Sequence, residues 1–458
     1  MSIKYDALKN NLQAPHSLIT DLDGQEGFFH DETIYRSIPS AVLVAESKED
    51  IMTAVKFCRE NKIPVTPRGA GTGLSGGCVP SENALVIATS NLKTLEIHPE
   101  RKIAFCGPGV ITKTLQDEAA RYSLAYPPDP ASFEESTLGG NVAENAGGLR
   151  CKRFGVTRDY ILGLEAVTTD GTILKTGLYN DYRGLALGDI LIASEGTLAI
   201  ITEIAVRLIF KTDRGVTLLV TFAKPAAAAQ TVSDIISSGL IPNVLEYIDG
   251  DAAAIANAYE KSTLIDEKAA AILLIETADK DQDKQTTLIR KFCEKNRFLT
   301  LNIETDPDKA EQLWQVRRNI SRAAKACAGA KISEDIAVPI SKFPLLVAFV
   351  AQLNRQYPLR INSYGHAGDG NLHVNILSQS GKPTDLTLAD EIIEKLLRQA
   401  LQLGGTITGE HGIGLAKRRY LKYEFDQPTL KAMRKIKAVF DPDNILNPEK
   451  IFPDENLS

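Results

Sequence analysis

Short apolar segments and one amphipathic segment alternate in the first part of the chain. Ala41–Ala45, Ile63–Thr66 and Asn83–Thr89 are apolar runs of strand length, and each predicts a buried strand. Lys48–Asn61 places apolar residues three and four positions apart, which predicts a helix with one buried face. The alternation predicts a mixed α and β domain at the start of the chain.

A β-hairpin is predicted next. Ile161–Thr168 and Ile173–Thr176 are strand-like segments, and Asp170-Gly171 lies between them. Asp-Gly is a strong hairpin signal because glycine adopts positive φ angles without steric cost. We therefore expect these two strands to pair in an antiparallel arrangement.

The pattern changes after Phe210. A strand is expected at 216–222 and an Ala-rich helix at 225–238, and the alternation of strands and helices continues through residue 304. We therefore expect a second, α+β domain that begins near residue 212.

The last part of the second domain leads into a C-terminal segment. Asp385–Leu403 has helical spacing of its apolar residues, and Gly404-Gly405 is expected to end that helix. A short strand at Thr406–Thr408 would then present Glu410 and His411.

Composition narrows the functional class. A chain of 458 residues is too long for one hydrophobic core, and its net charge of -6 argues against a nucleic-acid binder. No run of apolar residues is long enough to span a bilayer, and the N-terminus lacks the apolar core of a signal peptide, so we expect a cytoplasmic protein. The six cysteines are scattered without a CxxC pair, which does not resemble an iron–sulfur or structural zinc site.

Histidine is concentrated near the C-terminal end. Three of the six histidines lie in two glycine-flanked motifs, His366-Ala-Gly-Asp-Gly-Asn-Leu-His373 and Gly409-Glu-His-Gly412. A turn at Gly368-Asp369-Gly370 would allow both imidazoles of the first motif to reach one point. Two imidazoles and a carboxylate are common ligands of a divalent metal, so we predict a site formed by His366, His373 and Glu410. His411 beside it could transfer a proton near neutral pH.

Two glycine-rich segments predict a site for an anionic cofactor. Pro67–Gly77 contains a GxGxxG pattern, but a strand rather than a helix is predicted after it, so it does not match the dinucleotide-binding fingerprint. Its backbone N–H groups can still surround a pyrophosphate, because glycines allow close approach. Thr137–Gly148 is expected to be a second loop that exposes backbone amides.

These segments, together with Ser194–Leu198, resemble the FAD-binding domain of the vanillyl-alcohol oxidase type. The two histidine motifs and Phe440–Pro448 are similar to the branch that contains the glycolate oxidase D subunit, FAD-linked D-lactate dehydrogenase and D-2-hydroxyglutarate dehydrogenase. The six motifs occur in the family's order, and the match extends from about residue 38 to 453. The resemblance implies an α+β fold with two domains. Residues 1–211 would form the FAD-binding domain, residues 212–408 an α+β cap domain that presents the substrate to FAD, and residues 409–458 a C-terminal segment that returns to the FAD-binding domain.

The resemblance also implies which residues contact the flavin. They are Arg68, Gly69, Ala70, Gly71, Thr72, Gly73, Leu74, Gly76, Pro128, Asp129, Thr137, Gly140, Asn145, Glu195, Gly196, Ile200, Ile201 and Asn447. No histidine occurs in the first glycine loop, so we expect FAD to be bound non-covalently. The resemblance further implies that Zn or Mn is bound by His366, His373 and Glu410, with His411 as general base.

The implied substrate is a small 2-hydroxy acid. Arg317 is the expected clamp for the substrate carboxylate, with Ser321 and Asn375 as further contacts. Relatives that act on D-2-hydroxyglutarate tend to carry a lysine two residues before the position of Asp335, where this chain has Ser333. That difference favours D-lactate or glycolate.

Several alternatives remain open at this level. D-2-hydroxyglutarate is an alternative substrate, and an FAD-containing electron-relay subunit of a larger oxidase complex is an alternative role. An ether-forming alkyl-glycerone-phosphate synthase shares the fold but typically carries consecutive histidines, which this chain lacks. The electron acceptor could be an electron-transfer flavoprotein, a quinone, a cytochrome, a partner subunit or oxygen, and a homodimer is among the assemblies left open.

Overall fold

The computed structural model describes residues 5–180, 185–212, 214–266 and 268–453. In chain order its strands are β1 Leu18–Ile19, β2 Ala41–Val44, β3 Val65–Arg68, β4 Leu85–Ala88, β5 Leu95–His98, β6 Ile103–Cys106, β7 Leu124–Ala125, β8 Ile161–Val167, β9 Ile173–Lys175, β10 Ile200–Arg207, β11 Ile209–Phe210, β12 Arg214–Phe222, β13 Val244–Asp249, β14 Ala271–Ala278, β15 Thr300–Glu304, β16 Ala330–Ala337, β17 Arg360–Gly365 and β18 Asn371–Ser378.

The α-helices alternate with these strands. In chain order they are α1 Asp6–Lys9, α2 Lys48–Asn61, α3 Thr112–Ala120, α4 Leu138–Glu144, α5 Cys151–Phe154, α6 Leu187–Leu191, α7 Pro225–Ser237, α8 Gly250–Glu260, α9 Gln282–Lys295, α10 Pro307–Arg318, α11 Ile320–Ala326, α12 Phe343–Gln356, α13 Pro383–Gln402, α14 Leu421–Glu424 and α15 Gln427–Phe440. Among the residues described, no helix combines the length and the apolar character that crossing a bilayer requires.

The chain divides into two compact units. The first unit comprises residues 1–147, 156–211 and 410–458, and the second comprises residues 148–155 and 212–409. The short segment 148–155, which contains α5, thus groups with the second unit although most of its sequence neighbours belong to the first.

The first unit contains two main sheets. One has the strand order β1-β2-β4-β3, in which β2, β4 and β3 are parallel and β1 is antiparallel. The other is antiparallel with the order β5-β6-β10-β8-β9. Each sheet has its own core of buried, mainly apolar residues, as expected for an α+β unit with more than one layer.

Helix α2 packs against the β1-β2-β4-β3 sheet, and its local sequence explains where it begins, where it ends and which face is buried. The Ser47 side chain accepts a hydrogen bond from the Asp50 N–H and begins the helix, and Lys62 ends it in the left-handed conformation. Its apolar residues are buried in the core of the first sheet, as the spacing predicts. The predicted hairpin is also observed: β8 pairs antiparallel with β9, and Gly171 in the turn has φ +75°.

The second unit is built on one antiparallel sheet with the strand order β15-β12-β14-β13-β17-β18-β16. One of its buried clusters combines apolar residues of β12, β13 and β14 with residues of α8, α10 and α11. Strands β13, β17, β18 and β16 are adjacent in this sheet, and they carry most of the polar residues of the candidate site.

Two local expectations are wrong. Thr137–Gly148 is not an open loop, because α4 forms there: the Thr137 side chain caps it by accepting from the Gly140 N–H, and Asn145 ends it with φ +54°. Thr406–Thr408 is not a strand, because only an isolated bridge joins Thr406 to Ala337. The three residues are too few to form a ladder before the glycine that follows.

Candidate active site

A cavity in the first unit lies where β3 runs into the glycine loop. Side chains and backbone from β3, the loop, α4 and the start of β10 line it. The residues are Pro67, Arg68, Gly69, Gly77, Cys78, Thr89, Pro108, Gly139, Gly140, Ala143, Glu144, Glu195, Gly196, Ala199, Ile200 and Ile201. As expected, β3 leads through the loop to strand β4 and not to a helix.

Glycine is required at two points of the lining. A Cβ atom on Gly69 would lie 2.4 Å from Thr137 Oγ1, and one on Gly139 would lie 2.6 Å from Pro108 Cβ. Both distances are shorter than real contacts, so the segments could not approach each other with larger residues. Glycines in a cavity lining also allow a ligand to approach the backbone closely, which suits an anionic cofactor.

The predicted flavin contacts fall into two groups. Seven line the cavity, namely Arg68, Gly69, Gly140, Glu195, Gly196, Ile200 and Ile201. The other predicted contacts are absent from the described lining, namely Ala70, Gly71, Thr72, Gly73, Leu74, Gly76, Pro128, Asp129, Thr137, Asn145 and Asn447. Cys78, Thr89 and Pro108 line the cavity but lie outside the predicted motifs, although the turn signal Gly107-Pro108-Gly109 could have indicated Pro108.

Arg68 has a structural role in addition to lining the cavity. Its guanidinium donates to the carbonyl oxygens of His30 at 2.8 Å and Gly27 at 2.6 Å. Gly71 has φ +78°, and a Cβ atom there would overlap the same guanidinium. The Arg68 side chain thus connects the glycine loop to the segment that contains Gly27 and His30.

Two buried carboxyl groups form one side of the cavity. Glu195 accepts hydrogen bonds from the N–H groups of Ile413 at 2.7 Å and Gly414 at 2.6 Å. Burial and the nearby Glu195 carboxylate raise the pKa of Glu144 well above its ordinary value. A Cβ atom on Gly412, which has φ +85°, would lie 2.7 Å from Glu144 Oε2. His411 therefore directly precedes Gly412, which packs against the Glu144 carboxyl group in the cavity lining.

Asn447 fastens the C-terminal segment to the same region. Its Nδ2 donates to the carbonyl oxygens of Gly77 and Glu195, both at 2.8 Å. Its backbone N–H donates to the Val65 carbonyl oxygen at 2.6 Å. The asparagine is buried, and its amide positions two residues that line the cavity.

In the second unit the two histidines of the first motif meet. His373 lies on β18, and His366 directly follows β17. A single 3₁₀ turn and Gly370, with φ +74°, reverse the chain between them. Their ring centroids are 5.3 Å apart and the ring planes are perpendicular. The predicted turn thus brings both imidazoles together.

A buried carboxylate lies behind each imidazole. Glu246 Oε1 is 2.8 Å from His366 Nδ1, and Asp335 Oδ1 is 3.7 Å from His373 Nδ1. Metal-binding imidazoles are typically oriented by a carboxylate on the nitrogen that does not bind the metal. The donor set therefore fits a divalent metal at the Nε2 atoms of the two histidines. Sequence reasoning missed Glu246, because nothing in its local sequence marks it.

Arg317 contacts the same glutamate. Its Nε donates to Glu246 Oε2 at 2.6 Å, and Nη2 forms an ion pair with the same oxygen. Its guanidinium also lies over the Tyr364 ring, 4.7 Å from the centroid. Burial alone would raise the pKa of Glu246, but Arg317 and His366 outweigh it, and the pKa lies below its ordinary value.

The other predicted substrate contacts are bonded to the protein. Asn375 is fully buried, donates to Asn362 Oδ1 at 2.9 Å and accepts from the Ser333 hydroxyl at 3.0 Å. The Ser321 hydroxyl accepts a hydrogen bond from Lys331 Nζ at 2.6 Å. Lys331 and Ser333 share one face of β16 with Asp335, because side chains two apart on a strand point the same way.

Asp335 fixes the chain that leads to the second histidine motif. Its Oδ2 accepts from the Thr408 hydroxyl at 3.0 Å and from the Gly409 N–H at 2.8 Å. Glu410 and His411 are the next two residues of the sequence, and Gly412 follows them. Glu410 and His411 thus lie between Gly409, which Asp335 holds, and Gly412, which packs against Glu144.

Comparisons with known proteins identify the family of the chain. Residues 39–177 match the FAD binding domain family, and residues 211–451 match the family described as FAD linked oxidases, C-terminal domain. The glycolate oxidase subunit GlcD of Bacillus subtilis (strain 168) is 38% identical over 91% of this chain and 90% of its own length. A D-lactate dehydrogenase of Archaeoglobus fulgidus is 34% identical over 90% of each chain.

Solved structures show the same fold at low sequence identity. The crystal structure of p-cresol methylhydroxylase with substrate bound superimposes with a TM-score of 0.81 at 16% identity, covering 99% of this chain and 97% of that one. This likeness establishes the fold, which is the vanillyl-alcohol oxidase type expected from the sequence.

Proposed function

Because the chain belongs to the FAD-linked oxidases, we propose that it oxidises a small (R)-2-hydroxy acid, D-lactate or glycolate, to the 2-oxo acid with FAD and a divalent metal. The observation that carries the proposal is the pair of imidazoles at 5.3 Å, each with a buried carboxylate behind it, in a chain that also contains an FAD binding domain. Relatives named for glycolate and D-lactate support this substrate class.

The proposed metal ligands are His366, His373 and Glu410, and Zn or Mn suits two imidazoles and a carboxylate. Glu246, 2.8 Å from His366 Nδ1, would keep that imidazole in the tautomer that directs Nε2 to the metal, whereas Asp335 lies 3.7 Å from His373 Nδ1, beyond hydrogen-bond distance. When bound, the metal would polarise the substrate hydroxyl and lower its pKa.

His411 is proposed as the general base that accepts the hydroxyl proton at an imidazole nitrogen. When bound, FAD supplies the acceptor for the C2 hydrogen, which leaves the substrate with two electrons as hydride. The two steps together account for the two protons and two electrons that separate a 2-hydroxy acid from its 2-oxo acid. Glycines at the cavity lining, Gly69 and Gly139 among them, would allow the flavin's close approach.

Arg317 is proposed to bind the substrate carboxylate. Its contacts with Glu246 use Nε and Nη2, so Nη1 is the nitrogen proposed for the substrate. A planar guanidinium suits a carboxylate better than an ammonium does. Ser321 and Asn375 are proposed to complete the substrate contacts, and the Ser333 hydroxyl in place of a cation favours a monocarboxylate.

One observation favours D-2-hydroxyglutarate as the second candidate. Lys331 lies on the same face of β16 as Ser333 and donates to Ser321 at 2.6 Å. An ammonium group two positions from Ser333 could pair with a second carboxylate. The two candidates therefore differ in whether Lys331 contacts the substrate.

Flavin reduction tests the proposal directly. Under anaerobic conditions, D-lactate or glycolate should bleach the visible flavin absorption, and L-lactate should not. His411→Ala should retain FAD and lose bleaching, and a chelator should suppress turnover until metal is restored. Full activity after thorough metal removal would contradict the metal role. Bleaching by D-2-hydroxyglutarate alone would identify the second candidate.

The electron acceptor is the remaining part of the proposal. A glycolate oxidase subunit among the relatives supports a partner subunit, and an electron-transfer flavoprotein, a quinone or a cytochrome would serve equally. An electron-relay role without substrate oxidation would leave the flavin unreduced by every 2-hydroxy acid in a panel. The same panel thus separates an enzyme from a relay subunit.

A further inference from the structure

Glu246 divides its carboxylate between two groups of the proposed site. Oε1 lies 2.8 Å from His366 Nδ1, and Oε2 receives Nε of Arg317 at 2.6 Å. The glutamate lies on β13, the arginine on α10 and the histidine directly after β17, so one side chain joins three elements of the second unit.

The environment of Glu246 makes both contacts obligatory. Glu246 is 0% exposed and Arg317 is 2% exposed, so neither charge is stabilised by water. A charge buried in this way is tolerated only with a partner and hydrogen bonds on its remaining atoms. Tyr364, beneath the Arg317 guanidinium, restricts its rotation away from the carboxylate.

We propose that Glu246 is a positioning residue that fixes His366 and Arg317 together, so that the metal site and the carboxylate-binding arginine are energetically coupled through it. The inference rests on the proposed function, because it assumes that His366 binds the metal. A carboxylate on Nδ1 fixes the ring orientation and increases the electron density that the other nitrogen offers to a metal. The same carboxylate orients the arginine with Nε and Nη2 inward.

The coupling has a direction. Replacing Arg317 by a neutral residue would leave the whole Glu246 charge to His366, and would also remove a positive charge from the vicinity of the metal. Metal affinity should therefore rise in Arg317→Met, although Arg317 is not a proposed ligand. Replacing Glu246 should lower it.

Mn2+ binding to the full chain with FAD bound tests the inference without any measurement of turnover. Free Mn2+ can be quantified by electron paramagnetic resonance during a titration. Glu246→Gln should weaken Mn2+ binding by about 10- to 100-fold, the range typical for loss of a carboxylate behind a metal-binding imidazole. Arg317→Met should strengthen it by a few-fold.

Glu276 provides a matched control. It is also a buried glutamate of the second unit's sheet, on β14, and it pairs with an arginine, Arg150, at 3.1 Å. Glu276→Gln removes the same charge from the same kind of environment, and it should leave Mn2+ affinity unchanged. If Glu246→Gln does not fold, Glu246→Asp keeps the charge but is too short to reach both partners, and it should show the same loss to a smaller extent.

Each outcome is decisive. Equal Mn2+ affinity in the wild type and the Glu246 variants would overturn the inference while leaving the metal site itself intact. An unchanged affinity in Arg317→Met would overturn the coupling. A wild type that binds neither Mn2+ nor Zn2+ would instead refute the proposed metal role, and the inference with it.

Discussion

The Asp335 carboxylate accepts a hydrogen bond from the backbone N–H of Gly409 at 2.8 Å. The other oxygen of the same carboxylate accepts from Asn371 Nδ2 at 2.6 Å, and both are buried in the second unit. A Cβ atom on Gly409 would lie only 1.9 Å from Asn371 Nδ2. Glycine is therefore the residue that permits the contact on which the position of the following residues, Glu410 and His411, depends.

We predict that Gly409→Ala retains FAD but that its rate of flavin reduction by substrate falls by about 100-fold or more. A shift of about 1 Å in a catalytic group can lower a rate by that factor. Stopped-flow measurement of flavin reduction and the FAD-to-protein ratio would check it. Gly27→Ala is the matched control, because nothing lies within 4 Å of its added Cβ atom. A normal reduction rate in Gly409→Ala would show that the position of Glu410 and His411 does not depend on this contact.

The buried Asp249 carboxyl group should make the free energy of unfolding depend on pH. Burial raises the pKa of Asp249 to about 7, against hydrogen bonds from Ala252 and Ser363 that lower it. Its ordinary pKa is about 3.9, so the folded protein binds more protons than the unfolded chain between these values. The free energy of unfolding should therefore fall as the pH rises from about 4 to about 7.

Asp249→Asn should flatten this part of the stability curve, because the amide does not titrate and can still cap α8. Denaturant unfolding at a series of pH values would measure it. Asp283→Asn, an exposed aspartate in the first turn of α9, serves as the control and should keep the wild-type slope. Identical slopes in the wild type and Asp249→Asn would assign the pH dependence to other groups.

Glu144 predicts how FAD binding responds to pH. Its pKa is well above the ordinary value because of burial, the Glu195 carboxylate and Asp31, all of which favour the neutral form. We expect Glu144→Gln to hold as much FAD as the wild type. As the pH rises and Glu144 ionises beside Glu195, the wild type should lose FAD, and the variant should retain it better. Fluorescence of released FAD would report the difference, with the exposed Glu82→Gln as control.

The space at Gly69 is too small for a larger side chain. An alanine there would place its Cβ atom 2.4 Å from Thr137 Oγ1, which separates the glycine loop from α4. We expect Gly69→Ala to be purified with less than half of the wild-type FAD content, and Gly27→Ala to bind FAD normally. An unchanged FAD-to-protein ratio in Gly69→Ala would mean that the loop and α4 can move apart without loss of the cofactor.

Periodicity and turn chemistry predicted much of the local structure. The boundaries of α2 and the β8–β9 hairpin follow from a capping serine, a helical apolar spacing and an Asp-Gly turn, all of which act over a few residues. The family and the FAD binding domain were predicted by motif order, since several short motifs in one sequence order are far more specific than one. Both are confirmed by the comparisons.

Other parts depend on contacts that are distant in the sequence. The segment at 138–144 contains two glycines, whose low helix propensity argues against a helix. It is nevertheless helical, because Thr137 caps it and Gly139 packs against Pro108. Glu246 is more than seventy positions from Arg317 and more than a hundred from His366. No local pattern marks such a residue, and only the order of strands in the sheet brings the three together.

The discontinuity of the first unit has a consequence for biosynthesis. Val65 lies at an early point of the chain, yet its carbonyl oxygen is bonded to Asn447, and the Asn447 amide holds Gly77 and Glu195 beside the cavity. A ribosome must translate the whole second unit before that asparagine exists. The cavity can therefore be completed only after residue 447 has been synthesised, and until then Val65, Gly77 and Glu195 lack their hydrogen bonds to Asn447.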